Sequence, residues 1–483
     1  LYKTVFIKEE SVDIHKTAAS FAGKHGITVN GPDMDSLIDA LLCDMQLGLD
    51  GVKTDFSGTT GAAGTACAEN SANAAGAAYA CPLTSSLEMI PTWKTPPQEP
   101  VKNERVIVID AGGTNFRSCL VSFDHAGAAS ISDFEKCAMP GIEKELNKKE
   151  FFNAIAANLD HLKNKAAKIG FCFSYAMKIT KDGDGQVLSF SKEIKAKEVI
   201  GSFVGSSLSE ALVQRGWKKP EKIVLLNDTA AALLAGASTA SSCRRYSSYA
   251  ALILGTGLNT AYMEYGAIPK IAQSGDLTPH TQSKGQIVVC ESGMFDKVVR
   301  SDFDIEFDKT TQSPGCYVIE KMCSGAYVGA VASRAVHGAC REGLFGKNTS
   351  KALTALGEFS LYDMDRFFYT PFCTDTVLGA ALVHSDERDY NMLYVLLDMF
   401  VDRCARLTAS LVSAAVIKTG RGKDPVLPVA VLCEGTTFYK TYNLRSRIMG
   451  YLDELLLRKR HIYCEVLSLD NAITLGTAVA VFS

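Results

Sequence analysis

The sequence predicts an α/β protein of two similar lobes around a cleft, and three observations carry that expectation. Strand-like apolar runs alternate with helical patterns in both halves of the chain. Each half opens on a glycine hairpin, Val106–Phe123 (VIVIDAGGTNFRSCLVSF) and Tyr249–Glu264 (YAALILGTGLNTAYME). The two openings are similar to one another, VIVIDAGGTN against AALILGTGLN, over a short span.

Composition narrows the class. The chain has 483 residues, 47% hydrophobic and 21% charged, ample for a large core and for two or three domains. Fifty basic against 53 acidic residues leave a net charge of −3, which supplies no field for nucleic acid or an anionic membrane. The 15 cysteines are scattered and none are spaced C-x-x-C, so they read as reduced thiols of a cytoplasmic protein. LYKTVFIKEESVDIHK carries charges at Lys3, Lys8, Glu9 and Glu10 and no apolar h-region, unlike a signal peptide. Asn391–Lys418 is apolar, but Asp398, Asp402, Arg403 and Arg406 make it a core helix rather than a membrane span.

Taken in order, Pro32–Leu49 has helical spacing with an acidic first turn. Ser57–Ala80 is built of small residues that bury too little to offset ordering entropy, and reads as a flexible insertion. Pro91, Pro96, Pro97 and Pro100 connect it to the first hairpin. Then follow a helix at about Lys149–Lys165, a strand Lys168–Ser174, a solvated turn KDGDG (181–185) and a strand to Lys192. A helix at Phe203–Arg215 leads to a strand Lys222–Leu226 and the small-residue helix opened by Asn227-Asp228-Thr229. Beyond the second hairpin come a strand Gln286–Glu291, helices Val318–Arg341 and Asn391–Lys418, and a strand Val426–Cys433. A helix Tyr442–Arg458, a strand Ile462–Leu467 and a small-residue terminal helix complete the pattern.

The chemistry centres on the hairpins. Glycines with Thr114 and Thr256 at their tips can approach a polyphosphate from two sides, although Val106–Phe123 alone also fits an ordinary hairpin. Asp110, at a strand end, is placed to act on a metal or its water. No G-x-x-x-x-G-K-[ST] loop and no H-E-x-x-H is present, and the eight histidines are dispersed. Asp228, in the first turn of its helix, suits either a cap or a proton acceptor.

These residues resemble the hexokinase family, within the superfamily of actin and the sugar kinases. IDAGGTNFR (109–117) and LILGTGLNTAYME (252–264) resemble its two phosphate motifs, and FCFSYA (171–176) its sugar loop. SFSKEIKA (189–196) resembles its threonine–lysine segment, and LLNDTAAALLAG (225–236) the segment with the catalytic aspartate. SPGCYVIEKMCSG (313–325) is similar to a segment with a sugar-contacting glutamate, and CEGTTFYK (433–440) to the adenosine-site hairpin. LEMIPTW (87–93) and DMQLGL (44–49) resemble N-terminal segments; the family order runs from about residue 32 to the end.

The resemblance implies a two-lobed actin-like ATPase (ribonuclease H-like) fold, each lobe a mixed sheet flanked by helices, with the site in the interlobe cleft. It implies a helical segment of the large lobe at 1–97, a small lobe at 98–226 and a large lobe at 227–483, with a C-terminal helix 470–483 packing back on the small lobe. Hexokinases transfer the γ-phosphoryl of MgATP to the 6-hydroxyl of a hexose, the opening step of glycolysis. Asp228 matches the general base, with Lys192 near the transferring phosphoryl. Ser174, Ser191, Lys192, Asn227, Asp228, Asn259, Glu291 and Glu320 match sugar ligands. Asp110, Gly112, Gly113, Thr114, Asn115, Arg117, Gly255, Thr256 and Gly257 match the phosphate side, with Asp110 on Mg2+ through water. Gly435, Thr436 and Thr437 match adenosine contacts. The implied partner is a hexose, with no nucleic acid or membrane, in a monomer or homodimer.

The chain also departs from the family pattern. Ala176 stands for Pro, Ser191 for Thr, Leu258 for Ser and Tyr317 for a sugar-contacting Gln, and LDNAITLGTA (469–478) keeps the terminal glycine pattern poorly. An active hexokinase is therefore weighed against a hexose sensor without useful turnover, and a sugar-indifferent chaperone-type ATPase is disfavoured by the sugar segments.

Overall fold

A computed structural model describes residues 2–27, 33–52, 84–190, 194–238, 243–273 and 285–483. The Ser57–Ala80 stretch lies outside them. After helices Tyr2–Lys24 and Met34–Asp50 comes the short strand β1 (Ile90–Pro91). β2 (Glu104–Gly112), β3 (Asn115–Phe123), β4 (Ala129–Ala138), β5 (Lys168–Phe173), β6 (Ala176–Ile179), β7 (Gly185–Ser189) and β8 (Lys222–Leu226) follow. β9 (Ser248–Leu254), β10 (Leu258–Glu264), β11 (Gln286–Val289), β12 (Val429–Glu434) and β13 (Cys464–Leu467) belong to the second half.

Two mixed sheets result. The smaller has the order β4-β3-β2-β5-β8, antiparallel through β4, β3 and β2 and parallel from β2 to β8. The larger has the order β1-β11-β10-β9-β12-β13, antiparallel up to β9, with β12 parallel to both neighbours. β6 and β7 form a separate hairpin.

β2 explains why VIVID reads as an unbroken apolar run: its two faces enter two cores. Ile107 and Ile109 pack with residues of helices Lys148–Ala157 and Val204–Gln214. Val106 and Val108 pack with helix Asp228–Ser238, helix Ala472–Val479 and residues Ala251, Ala261 and Leu432 of the larger sheet. Both of these helices are made of small residues because they run backbone to backbone. A Cβ on Gly476 would lie 1.8 Å from the Ala231 carbonyl oxygen. One on Gly170 of β5 would lie 2.4 Å from that of Thr477. The C-terminal helix thus sits between the Asp228 helix and the smaller sheet.

The 32-residue helix Glu387–Lys418 crosses the larger lobe, and its charges are paired rather than membrane-facing. Arg403, 3% exposed, binds Asp304 through two hydrogen bonds of 2.6 and 2.9 Å. Arg406 binds Asp402, and Arg447 binds Asp398. Among the described residues no helix is long and apolar enough to cross a membrane.

Several expected elements differ. The helix expected over Val318–Arg341 is two, Val318–Cys323 and Val328–Arg341, because Gly325 leaves the helix to donate its N–H to the Gly255 carbonyl at 2.8 Å. The strand expected to reach Glu291 ends at Val289, and Glu291 turns into the left-handed region. GTTFYK forms a short helix, Thr436–Lys440, not a hairpin. The helix over Tyr442–Arg458 is α-helical at Leu444–Leu452 and a π-helix at Asp453–Arg458. The helix from Lys149 ends at Ala157, followed by a 3-10 turn Asp160–Leu162. β4 lacked a signal because its side chains are almost all exposed, leaving no burial alternation to read. Twelve described cysteines are free and Cys43 is disulfide-bonded, which corrects the expectation of reduced thiols throughout.

Candidate active site

The first hairpin closes tightly. Gly112 pairs with Asn115, leaving Gly113 and Thr114 as the turn, and Gly113 has φ +57°. A Cβ on Gly112 would lie 3.1 Å from the Ser174 Cβ, tighter than an ordinary contact, so the glycine eases the close approach of the residue that follows β5. The Tyr175 hydroxyl donates to the Gly113 carbonyl at 2.8 Å. Asp110 and Arg117 are cross-strand partners, and Arg117 Nη1 donates to Asp110 Oδ2 at 2.6 Å.

Opposite it, Gly255, Thr256 and Gly257 join β9 to β10, with a hydrogen bond from Gly255 N to Gly257 O of 3.0 Å. The Gly255 carbonyl accepts from Gly325 N and from Thr437 Oγ1, each at 2.8 Å. Gly435, at φ +116°, lies so close that a Cβ would stand 2.1 Å from the Leu254 carbonyl oxygen. Gly435, Thr436 and Thr437 therefore pack directly against this hairpin. Thr437 is already engaged in holding the turn.

Between the hairpins lies a set of carboxylates. Asn227 Oδ1 accepts the Ala230 N–H at 3.0 Å, so Asn227, not Asp228, caps the helix. Asp228 Oδ1 accepts from the neighbouring Thr229 hydroxyl at 3.1 Å. Burial raises the Asp228 pKa, the Thr229 hydroxyl and N–H oppose it, and the Asp110 charge raises it further. Glu291 is pushed up to about 7, chiefly by burial, against a 2.9 Å hydrogen bond from Asn259 Nδ2. The charges of Asp228, Glu320 and Glu88 add to that rise. Asn259 is fixed in turn, its Oδ1 accepting from Thr260 N at 2.8 Å and Ser292 N at 3.2 Å. Glu320 Oε2 accepts from Leu258 N at 2.8 Å, and burial raises its pKa. The same oxygen would be 2.8 Å from a Cβ on Gly257, so Glu320 touches the second hairpin as well as the acid set.

The fold thus gathers Asp110, Gly112, Gly113, Thr114, Asn115, Arg117 and Ser174 on one hairpin and strand end. It gathers Gly255, Thr256, Gly257, Asn259, Glu291, Glu320, Gly435, Thr436 and Thr437 on the other side, with Asn227 and Asp228 between. Ser191 and Lys192 lie outside the described residues. Sequence reasoning missed Glu88, whose charge acts on both Glu291 and Tyr317. It lay within the quoted LEMIPTW, where nothing sets a site carboxylate apart from a surface one. Among the described residues no group of three or more His, Cys, Asp or Glu could hold a metal ion. The arrangement suits buried hydroxyl recognition beside a carboxylate able to take a proton, flanked by two turns open to phosphate.

Two family models described as hexokinase match the chain, over residues 73–238 and 249–483. Hexokinase-5 of Oryza sativa subsp. japonica is 28% identical over 386 residues, 74% of either chain. Hexokinase-1 of Rattus norvegicus is 26% identical over 295 residues, 58% of this chain and 31% of the relative. Hexokinase-1 of Schizosaccharomyces pombe is 28% identical over 258 residues, 51% of each. The aligned stretches thus span about a third of the rat protein and about half of the fission-yeast one. The solved structure of the Schistosoma mansoni hexokinase complexed with glucose superposes with a TM-score of 0.71 at 20% identity, covering 98% of this chain and all of that one. Another hexokinase crystal structure gives 0.70 at 18% identity, covering 97% and 98%. At those identities the likeness speaks for the two-lobed fold. The two family matches take in both hairpins and the Asn227-Asp228 turn between them, and the chain belongs to the hexokinase family of sugar-phosphorylating enzymes.

Proposed function

We propose that this chain phosphorylates a hexose at its 6-hydroxyl with ATP, glucose before fructose or mannose, with Asp228 as general base. One observation carries the proposal. Asn227 takes the capping bond to Ala230 N, so the Asp228 carboxylate, held by the adjacent Thr229, stands among Asp110, Glu291 and Glu320.

Ionised Asp228 accepts the proton of the 6-hydroxyl, and burial strengthens its pull on that proton. Asn227, Asn259, Glu291, Glu320 and Ser174, with Ser191 and Lys192, bind the remaining sugar hydroxyls. Pairing them in a buried site is what rejects the wrong sugar. Thr114, Thr256 and turn N–H groups other than that of Gly255, which is spent on Gly257 O, hold phosphate oxygens, and Gly435, Thr436 and Thr437 lie against the adenosine. Arg117 keeps one Asp110 oxygen oriented. Asp110, near the end of β2, would act through water on a magnesium ion carried with the nucleotide. Bound MgATP supplies the phosphoryl group and neutralises the charge its transfer develops.

A coupled assay for ADP with glucose, fructose and mannose tests this. Hexose-stimulated turnover is expected, with Asp228→Ala lowering kcat by about 10²- to 10⁴-fold. Tight hexose binding without turnover in the unaltered chain refutes the kinase reading and leaves the sensor.

A further inference from the structure

The turn KDGDG (181–185) is exposed at Lys181 and Asp182 alone; Gly183, Asp184 and Gly185 are buried, which corrects the expectation of a solvated turn. The carboxylate of Asp184, a residue 8% exposed, is filled with donors. Its Oδ1 accepts from Gly185 N at 2.7 Å and Gly205 N at 2.6 Å, and its Oδ2 from Ser206 N at 2.9 Å and Ser206 Oγ at 2.7 Å. Helix Val204–Gln214 follows Phe203, which has no side-chain cap to give, so the cap arrives from Asp184, 21 residues before Gly205. A local serine or asparagine would serve stability equally; a remote carboxylate also fastens together the segments it binds.

Those segments enclose the strand that leads to the proposed base. Leu225 N of β8 donates to Gly183 O at 2.8 Å. A Cβ on Gly185 would lie 3.3 Å from the Leu225 Cβ, and one on Gly205 3.2 Å from its Cδ2, so the two glycines bridged by Asp184 Oδ1 pack on Leu225. Leu226 ends β8, and Asn227 and Asp228 follow. At its other end the β6–β7 hairpin starts at Ala176, just past Ser174, whose N–H binds the Ala111 carbonyl at 2.9 Å. The turn also meets the connector from the larger lobe. A Cβ on Gly183 would lie 3.3 Å from Lys94 Nζ, and the Lys94 carbonyl accepts from Ile287 N of β11 at 2.8 Å.

We propose that Asp184 is a positioning residue for phosphoryl transfer: by clamping the β6–β7 turn and the helix entry onto β8, it holds the sugar loop at Ser174 in register with Asp228. The inference rests on the kinase reading above, in which Ser174 binds the hexose and Asp228 takes its proton. A base must stay within hydrogen-bond reach of the hydroxyl it deprotonates, and a misplacement of about 1 Å costs about a hundredfold in rate. Asp184 makes no hydrogen bond to either phosphate turn, so loosening the clamp acts on the hexose side and spares ATP.

Steady-state kinetics of Asp184→Asn, and of Asp184→Ala combined with Phe203→Ser, test this beside calorimetric titration with glucose. Asparagine turns an NH2 group on donors, and the double variant gives the helix a cap of its own, which keeps Tm near that of the unaltered chain. Both are expected to lower kcat at least about tenfold and to raise hexose KM and Kd at least about threefold, with ATP KM within about twofold. Recovery of kcat and hexose KM together with Tm in the double variant reduces Asp184 to a helix cap and overturns the proposal. So do hexose constants that neither variant moves by more than about twofold. If the unaltered chain never turns over, weakened glucose Kd in both variants supports the clamp and overturns the kinase reading alone, whereas an unchanged Kd overturns the clamp as well.

Discussion

Asn227 and Asp228 divide between two adjacent side chains the roles that the sequence left on one. The amide satisfies the Ala230 N–H, and the carboxylate, bound only by its immediate neighbourhood at Thr229, is held above its ordinary pKa by burial. A general base must be ionised to act, so the acid limb of kcat/KM should have its midpoint above the ordinary aspartate value of 3.8, measured from pH profiles with saturating ATP. Glu291 makes a stability prediction of opposite character to a salt-bridged acid. Its folded pKa of about 7 exceeds the unfolded 4.5, so between these values the folded state holds the extra proton. Stability without ligand should therefore fall as pH rises from 4.5 to 7 and level off above, by at most about 3 kcal/mol, since some cleft exposure screens the charge. Glu291→Gln should flatten that slope in denaturant titrations at a series of pH values; an unchanged slope would refute the assignment.

At the scale of elements, small residues decide the packing. Gly476 lets helix Ala472–Val479 lie against helix Asp228–Ser238, and Gly476→Ala has no room for its methyl. The helices must part, at a cost of about 1–3 kcal/mol. A fall of several degrees in Tm is expected, with lower activity because the same helix carries Asp228; a Tm within one degree of the unaltered chain would contradict the contact. Turn chemistry and alternation made the hairpins and the β8 strand legible, and β8 runs from Lys222 to Leu226 as expected. The broken helix at Gly325 was not legible. Val318–Arg341 has continuous helical character locally, and the competing partner, the Gly255 carbonyl, is 70 residues away in sequence. Thr437 donates its hydroxyl to that same carbonyl, a contact still more distant in sequence.

Across the whole molecule, the two sheets share one core through the Asp228 helix and the C-terminal helix. The hairpins face the acids from separate sheets, so a hexose touching residues of both should draw the lobes together. Small-angle scattering should show compaction on adding hexose, and an unchanged radius of gyration would argue against closure. The sequence by itself determined the alternation of strands and helices, the two glycine turns, and the residue types of a phosphate and sugar site. These are local properties, carried by side-chain period and backbone freedom within a few residues. Only the tertiary structure decided which of neighbouring polar groups caps a helix, that burial lifts Asp228, Glu291 and Glu320, and that Glu88 lies near them. Desolvation, close approach and a shared hydrogen-bond acceptor depend on chain segments far apart in sequence, so no local pattern records them.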